Sequence, residues 1–383
     1  MDRPDSKLPD IGTTIFTVMS QMASDHGALN LSQGFPDFSA PEALLERVCH
    51  HLTAGHNQYA PMAGLPVLRE RIAQKTHRVY GHDTDPEREV TVTSGATEAL
   101  FCAIEAFVND GDEVIVFDPA YDSYDPAIRL AGGIPVHLSL TGPAFTIDFD
   151  RLADAIGPRT RMLVLNTPHN PTGMVIDAEA MEKLAGLLRD TPVLLLSDEV
   201  YEHIIFDGRQ HESLLRNPEL AERALVVSSF GKTFHATGWK IAYVVAPPAL
   251  SEEFRRIHQF VQFCVSTPMQ HALADFLESD PQHYLELPAF YQRKRDLFCT
   301  LLAESRFRFT PSAGTYFQLL DYSRIADEPD VDYARYLTRK AGIASIPVSV
   351  FQKRPPADQR LLRFCFAKHD STLKQAAEIL CRL

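Results

Sequence analysis

The chain has 383 residues, of which 45% are hydrophobic and 23% charged, a composition typical of a soluble globular protein. This length exceeds the size at which one hydrophobic core keeps growing, so we expect two domains. A formal net charge of −13 repels nucleic-acid phosphates and anionic lipids, and no run approaches the roughly 18 apolar residues of a membrane span, so we expect neither a nucleic-acid partner nor a membrane.

The first residues form a segment, 1–40, that is too short to be a domain. It contains an amphipathic stretch at 15–22 and a short apolar run at 28–31. The start, residues 1–7, lacks the basic-then-apolar order of a signal peptide, so we expect a cytoplasmic protein.

Residues 41–280 alternate strand-like apolar runs with helical stretches, which predicts βαβ units and a mostly parallel sheet in a large domain. A helix is predicted at 178–188. The strand-like runs are at 89–93, 113–117, 162–165, 193–196, 224–227 and 241–245.

The pattern changes in residues 281–383, which we expect to form a smaller C-terminal α+β domain. It opens with a long charged helix at 284–302, and strands are predicted at 307–309, 315–319 and 361–366.

Short polar clusters directly follow four of the predicted buried strands. Because ligands collect outside the carboxyl ends of parallel strands, we expect these clusters to meet in one crevice. They are Ser-Gly-Ala-Thr at 94–97, Asn-Thr-Pro-His-Asn-Pro-Thr-Gly at 166–173, Ser-Asp-Glu-Val-Tyr at 197–201 and Ser-Phe-Gly-Lys-Thr-Phe at 229–234.

Lys232 stands among small and hydroxylated residues after the strand at 224–227, where an amine is placed for covalent chemistry with an aldehyde. This points to pyridoxal phosphate, attached to the lysine as a Schiff base. The alternative, an ordinary surface lysine after a strand, would be favoured if Lys232 stood alone.

Two charged residues occupy positions where burial is costly without a partner. Asp198 follows a buried strand and requires a cation, although a helix N-cap is the alternative. Arg363 lies within an apolar strand, and its fork of donors requires a planar anion; a structural salt bridge is the alternative.

The cluster at 94–97 opens a predicted helix, and free N–H groups at a helix N-terminus form an anion site. Helix capping explains the same residues equally well when they are taken alone.

The other reactive side chains indicate no metal. The six cysteines form no Cys-x-x-Cys pair, and the fifteen histidines show no ligand spacing. We expect the neighbours His50 and His51 to be a surface pair on a helix rather than ligands.

Together, in this order, the motifs resemble the class I and II aminotransferases of fold type I, and most closely their kynurenine and methionine aminotransferase branch. The resemblance runs from Ser-Gln-Gly-Phe-Pro-Asp-Phe at 32–38 to Leu-Arg-Phe-Cys-Phe-Ala at 362–367. It implies a large α/β domain with a mixed, mostly parallel sheet flanked by helices. It also implies a smaller α+β domain, built from 281–383 and joined by the segment 1–40.

The resemblance implies pyridoxal 5'-phosphate as the cofactor and a homodimer. Lys232 would bind the cofactor, Asp198 would pair with its ring nitrogen, and Tyr201 and Asn170 would contact its ring oxygen. Tyr121 would stack on the ring. The phosphate would be held by Gly95, Ala96, Thr97, Ser229, Lys240 and, from the neighbouring subunit, Tyr59.

For the substrate, the family's pattern implies that Arg363 binds the α-carboxylate with help from Gly34 and Asn170. Phe16 and Phe351, with Tyr59 and Tyr121, are candidates for an apolar side-chain pocket, although scattered aromatics are more often core.

The implied activity is ping-pong transfer of an amino group from a neutral donor (methionine, aromatic, glutamine or kynurenine-like) to a 2-oxo acid. Two alternatives remain open: cysteine-S-conjugate β-lyase chemistry in the same site, and a non-catalytic ligand-sensing domain of the same fold.

Overall fold

The structure is a computed structural model that describes residues 5–383, so the first four residues of the predicted N-terminal segment lie outside the described residues. The α-helices are α1 (Ile15–Asp25), α2 (Glu42–Thr53), α3 (Pro66–Tyr80), α4 (Ala96–Phe107), α5 (Tyr124–Leu130), α6 (Phe149–Ala155), α7 (Ala178–Leu188), α8 (Pro218–Ala221), α9 (Phe230–Thr233), α10 (Pro248–Val261), α11 (Thr267–Ser279), α12 (Gln282–Leu301), α13 (Asp330–Tyr336) and α14 (Asp370–Leu380). The strands are β1 (Leu29–Asn30), β2 (Val90–Thr93), β3 (Glu113–Asp118), β4 (Ile134–Ser139), β5 (Thr160–Asn166), β6 (Leu194–Asp198), β7 (Ala224–Ser229), β8 (Ala242–Val245), β9 (Phe317–Asp321), β10 (Ile343–Ala344), β11 (Ile346–Pro347) and β12 (Leu361–Cys365).

A seven-stranded sheet forms the centre of the molecule, in the order β2-β8-β7-β6-β5-β3-β4. Strand β8 is antiparallel to both of its neighbours, and the other pairs are parallel. All residues of β2, β7 and β8 are buried, as expected for strands covered by helices on both faces. The predicted mixed, mostly parallel sheet is therefore confirmed.

Helix α7 shows why the chain folds locally as its sequence predicts. The Asp177 side chain caps its first turn by accepting a hydrogen bond from the backbone N–H of Ala180. Its buried residues recur at helical spacing and form one apolar face, which packs into the core: Met181, Leu184, Ala185 and Leu188.

The N-terminal segment meets the C-terminal part of the chain in strands separate from the large sheet. Strand β1 pairs in parallel with β10, and the backbone N–H of Cys365 donates to the carbonyl of Leu31 over 2.8 Å. The antiparallel sheet β11-β12-β9 completes this region. These contacts join the N-terminal segment to the C-terminal part of the chain, and the exact domain boundaries at 40 and 280 stay a prediction.

Two predicted strands in the C-terminal part need correction. No strand forms at 307–309, where Arg308 makes only an isolated bridge to Asp321. The nearby Pro311 has no N–H with which to extend a ladder. The strand predicted at 315–319 is β9, displaced by two residues. None of the helices within residues 5–383 is both long and apolar enough to cross a membrane.

Candidate active site

Polar side chains from the ends of four strands line one cavity of about 300 Å³ at the edge of the large sheet. The segments after β2, β5, β6 and β7 all reach it, together with residues from the N-terminal segment and from β9 and β12. Of the residues predicted for the site, the structure brings the following to the cavity: Phe16, Gly34, Gly95, Ala96, Thr97, Tyr121, Asn170, Asp198, Tyr201, Ser229, Lys232, Lys240 and Arg363.

Lys232 lies on the short helix α9, directly after β7, and its amine points into the cavity. Its Nζ donates to the hydroxyl of Tyr316 over 3.1 Å and to the carbonyl of Gly34 over 3.4 Å. Burial lowers the pKa of the amine to about 8, and Lys240 and Arg363 add to the effect. A larger share of this amine than of an ordinary lysine is therefore neutral, and so nucleophilic, near neutral pH.

Asp198 ends β6 and is 4% exposed. The Tyr124 hydroxyl donates to its Oδ2 over 2.6 Å, and the Val200 backbone N–H donates to Oδ1 over 3.4 Å. Burial nevertheless raises the pKa of this carboxyl to about 6, because these hydrogen bonds only partly offset the lost hydration. A cation bound beside Asp198 would therefore be strongly attracted.

An anion cradle lies where β2 turns into α4. The first N–H groups of α4 have no intrahelical acceptor and face the cavity end of the helix. Gly95 precedes them with φ +79°, and a Cβ there would lie 2.9 Å from Cε of Lys240. Only glycine leaves room for the lysine to stand beside the helix terminus, so backbone donors and a positive charge meet at one point.

Arg363 is 1% exposed and belongs to β12. Its Nη1 donates to Oδ1 of Asn170 over 2.6 Å, and its Nη2 donates to the carbonyl of Ser32 over 2.9 Å. Its Nε has no acceptor among the described residues. The guanidinium also lies 3.9 Å from the ring centroid of Phe317. Buried donors remain free for an anion in the cavity.

Two residues predicted for the site do not line this cavity. Tyr59 is 82% exposed and contacts Phe263 edge to face. Phe351 is buried behind Phe16, at 5.8 Å between ring centroids, and packs on Arg363 rather than facing the ligand space. Phe351 therefore packs behind the cavity lining and supports the guanidinium of Arg363.

Sequence reasoning missed two tyrosines that act on the central groups. Tyr316 is fully buried; it contacts Lys232 and donates to the Gly34 carbonyl over 2.5 Å. Tyr124 holds Asp198. Tyr316 precedes a strand and Tyr124 starts a helix, where a buried tyrosine is typical of core, so no sequence signal separates these two from packing residues.

The residues fit pyridoxal phosphate on their own chemistry. An aldehyde requires a reactive amine, supplied by Lys232, and a phosphate requires the cradle at Gly95 with Lys240. A protonated ring nitrogen requires a buried carboxylate, and Asp198 is a buried carboxyl whose pKa burial raises. Tyr121 lies in the same cavity wall.

Comparisons with known proteins agree with this arrangement. The sequence profile of the family described as Aminotransferase class I and II matches residues 27–380. The chain is 52% identical over 380 residues to a methionine aminotransferase of Escherichia coli (strain K12), covering 99% of this chain and 98% of that protein. It is 35% identical to human kynurenine–oxoglutarate transaminase 1, over 94% of this chain and 93% of that protein.

Solved structures are similar over the whole chain. The structure of YbdL from Escherichia coli, for which a methionine aminotransferase function is identified, superposes with a TM-score of 0.98 at 52% identity and covers 100% of both chains. N-succinyldiaminopimelate aminotransferase from Mycobacterium tuberculosis superposes with a TM-score of 0.96 at 37% identity, over 99% of this chain and 100% of that one. The predicted fold class and family resemblance are confirmed.

Proposed function

The chain belongs to the class I and II aminotransferases, and we propose that it moves the amino group of a neutral amino acid to a 2-oxo acid with pyridoxal 5'-phosphate as cofactor. Enzymes of this family use that cofactor. The observation that carries the proposal is the convergence of Lys232, Asp198 and Arg363 on one cavity. Lys232 then supplies the reactive amine, Asp198 the partner of the ring nitrogen and Arg363 the receptor for the substrate carboxylate, all around one ligand. The intact set also argues against a non-catalytic sensing domain.

When bound, the cofactor accepts the electron pair released at the α-carbon of the amino acid. Asp198 would place a negative charge beside its ring nitrogen, and Tyr124 holds that carboxylate in position. The cradle around Gly95 and Lys240 would hold the phosphate, while Tyr201 and Asn170 would contact the ring oxygen. These groups would hold the cofactor in place during turnover.

Arg363 binds the α-carboxylate of the substrate through its free N–H groups. This contact orients the α-carbon toward Lys232. The Nζ of Lys232 would act as a general base that takes the α-proton, and then as a general acid that returns the proton to the neighbouring carbon of the bound adduct. Tyr316 and the Gly34 carbonyl aim the amine. A pKa of about 8 suits a base that must both accept and release a proton.

We assign neutral donors because every cation that lines the cavity already has a proposed role in binding the cofactor or the α-carboxylate. Its lining cations within residues 5–383 are Lys232, Lys240 and Arg363, which serve the cofactor and the α-carboxylate. A second carboxylate on the substrate would find no further cation among the lining residues of this chain within residues 5–383, whereas Phe16 and Phe317 offer apolar contact. The named activities of the methionine and kynurenine relatives point to the same donor class.

The test is a panel of donors (Met, Phe, Gln, kynurenine, Asp) against several 2-oxo acids, with product identification. New amino acids formed fastest from neutral donors support the proposal. Ammonia and pyruvate from cysteine S-conjugates, without amino transfer, would instead identify a β-lyase. A preference for Asp would contradict the neutral-donor assignment.

We also propose a cytoplasmic homodimer in which Tyr59 reaches the phosphate bound by the partner subunit. The support is a pair of exposed rings in contact, Tyr59 and Phe263, which are 82% and 55% exposed. Phe260, three positions before Phe263 in the sequence, is 86% exposed. Burying these rings against a second copy would remove a large apolar area from water. Residues 1–40 and 281–383 would form the small domain and 41–280 the large one.

A further inference from the structure

Three histidines meet on the surface of the large domain, outside the active-site cavity. His51 is in the last turn of α2, His56 is in the loop that follows, and His271 is on α11. One ring nitrogen from each can be chosen so that all three lie within 4.8 Å of one another. The expectation of a surface pair is wrong for His51, which is only 7% exposed, although His50 is exposed.

A carboxylate orients the most buried of these rings. Nε2 of His51 lies 2.8 Å from Oδ2 of Asp275, so this nitrogen carries the proton and donates it. Asp275 is itself held by Arg47, with 3.6 Å between Nη1 and Oδ2. The lone pair of His51 therefore lies on Nδ1. Histidine ligands of metals typically donate their other ring N–H to a carboxylate in this way.

The Nδ1 lone pair of His51 faces the second histidine and accepts a hydrogen bond from it. Nδ1 of His51 lies 2.8 Å from Nδ1 of His56, so a single proton lies between two nitrogens. The ring of His271 packs on both, with centroids 5.0 Å from His51 and 4.3 Å from His56.

We propose that His51, His56 and His271 bind one transition-metal ion of the zinc type, at a site separate from the catalytic centre. Tetrahedral Zn²⁺ with Zn–N bonds of about 2.0–2.1 Å holds its ligand nitrogens roughly 3.3 Å apart. The Nδ1 pair has to open by only about half an ångström, and the proton between them moves to Nε2 of His56. Neutral imidazoles without a thiolate or ligating carboxylate favour Zn²⁺, Co²⁺, Ni²⁺ or Cu²⁺ over Mg²⁺ and Ca²⁺. The fourth position is left for water.

A second group of metal-ligating residue types is a weaker candidate. Glu98, Cys102 and His258 also lie close together. The Glu98 Oε1 already accepts from Cys102 Sγ over 2.9 Å and is 2.7 Å from Nδ1 of His258, and burial raises the pKa of the thiol. This group is a satisfied hydrogen-bond network in which one carboxylate oxygen already holds both the thiol and the imidazole.

The proposed ion would join α2 and α11 through the loop at 54–58. That loop leads to Tyr59 three residues after His56, and Thr267 at the start of α11 donates to the carbonyl of Gln58 over 2.5 Å. A metal bridge would hold the same loop at a second point. Metal binding is therefore expected to raise the unfolding temperature of the folded protein.

The experiment uses the cofactor-loaded, full-length protein after dialysis against a chelator, titrated with Co²⁺ and then Zn²⁺. We expect one Co²⁺ per chain with the visible absorption of a four-coordinate ion, displaced by Zn²⁺. His56→Ala and His271→Leu should each weaken Co²⁺ binding by at least about tenfold, and Asp275→Asn by roughly 10- to 100-fold. His77→Gln is the matched control, because His77 pairs with Asp83 over 2.8 Å but belongs to no group of metal-ligating residues within residues 5–383.

His56 and His271 are only half-buried, and the absorption of the bound cofactor and the metal-free unfolding temperature will report whether each variant is folded. Wild-type protein that binds no Co²⁺ at one equivalent would overturn the proposal. Binding that survives both His56→Ala and His271→Leu would also overturn it, since the ion would then lie elsewhere.

Discussion

Replacing Arg363 with alanine should impair every amino donor and every 2-oxo acceptor to a similar degree, because all share the carboxylate. The guanidinium has five N–H donors, of which the structure engages one on Nη1 and one on Nη2. Three remain for the ligand, including the unpaired Nε, and a carboxylate accepts two in parallel.

The magnitude follows from those two bonds. A hydrogen bond to a charged group contributes about 1.5–3 kcal/mol, so losing a pair costs roughly 3–6 kcal/mol of transition-state binding. At about 1.4 kcal/mol per tenfold, kcat/KM should fall on the order of 10²- to 10⁴-fold. The kcat/KM of Arg363→Lys should lie between the values of the wild-type protein and Arg363→Ala, because lysine keeps the positive charge but loses the forked pair of donors.

The assay is steady-state kinetics for Met, Phe, Gln and Asp with a fixed acceptor. Arg255→Ala is the control: Arg255 donates to Thr91 Oγ1 and to two backbone carbonyls, lies outside the cavity, and should cost stability without changing kcat/KM. If Arg363→Ala impaired only the acidic donor, the arginine would be recognising the side chain, and the proposed roles would be refuted.

The other predictions concern the cofactor groups. Borohydride should fix the cofactor covalently to Lys232, as mapped by peptide mass spectrometry; a label on another lysine would contradict the assignment. Asp198→Ala should lose cofactor on dialysis and nearly abolish turnover with unchanged circular dichroism, whereas near-normal activity would remove its role. Tyr124→Phe should raise the pKa of Asp198, because a hydrogen bond that lowers it is lost, so the acid limb of the pH–rate profile should move to higher pH; an unmoved limb would argue against Tyr124 as a positioning residue. Mixing inactive Lys232→Ala with an impaired Tyr59→Ala protein should restore part of the activity through mixed dimers, and a fully active monomer in sedimentation would exclude shared sites.

The sequence by itself determined many of the elements and most of the residues at the cavity. Apolar runs of strand length located six of the seven strands of the large sheet and missed β4, none of whose residues is fully buried. A parallel arrangement places the ends of β2, β5, β6 and β7 at one edge. That topological rule predicts the meeting of Gly95, Asn170, Asp198 and Lys232 without any distance being known. Periodicity likewise predicted α7 at its observed bounds.

Only the tertiary structure decided which side chains from distant parts of the chain touch. Tyr316 meets Lys232 across 84 positions of sequence, and His51 meets Asp275 across 224. The local sequence pattern indicates which face of a helix or strand a residue occupies, but it does not indicate which residues pack against that face. The long-range packing of helices and strands therefore supplied the tyrosine at the amine, moved Phe351 to a second layer, and gathered the histidine cluster from α2, its loop and α11.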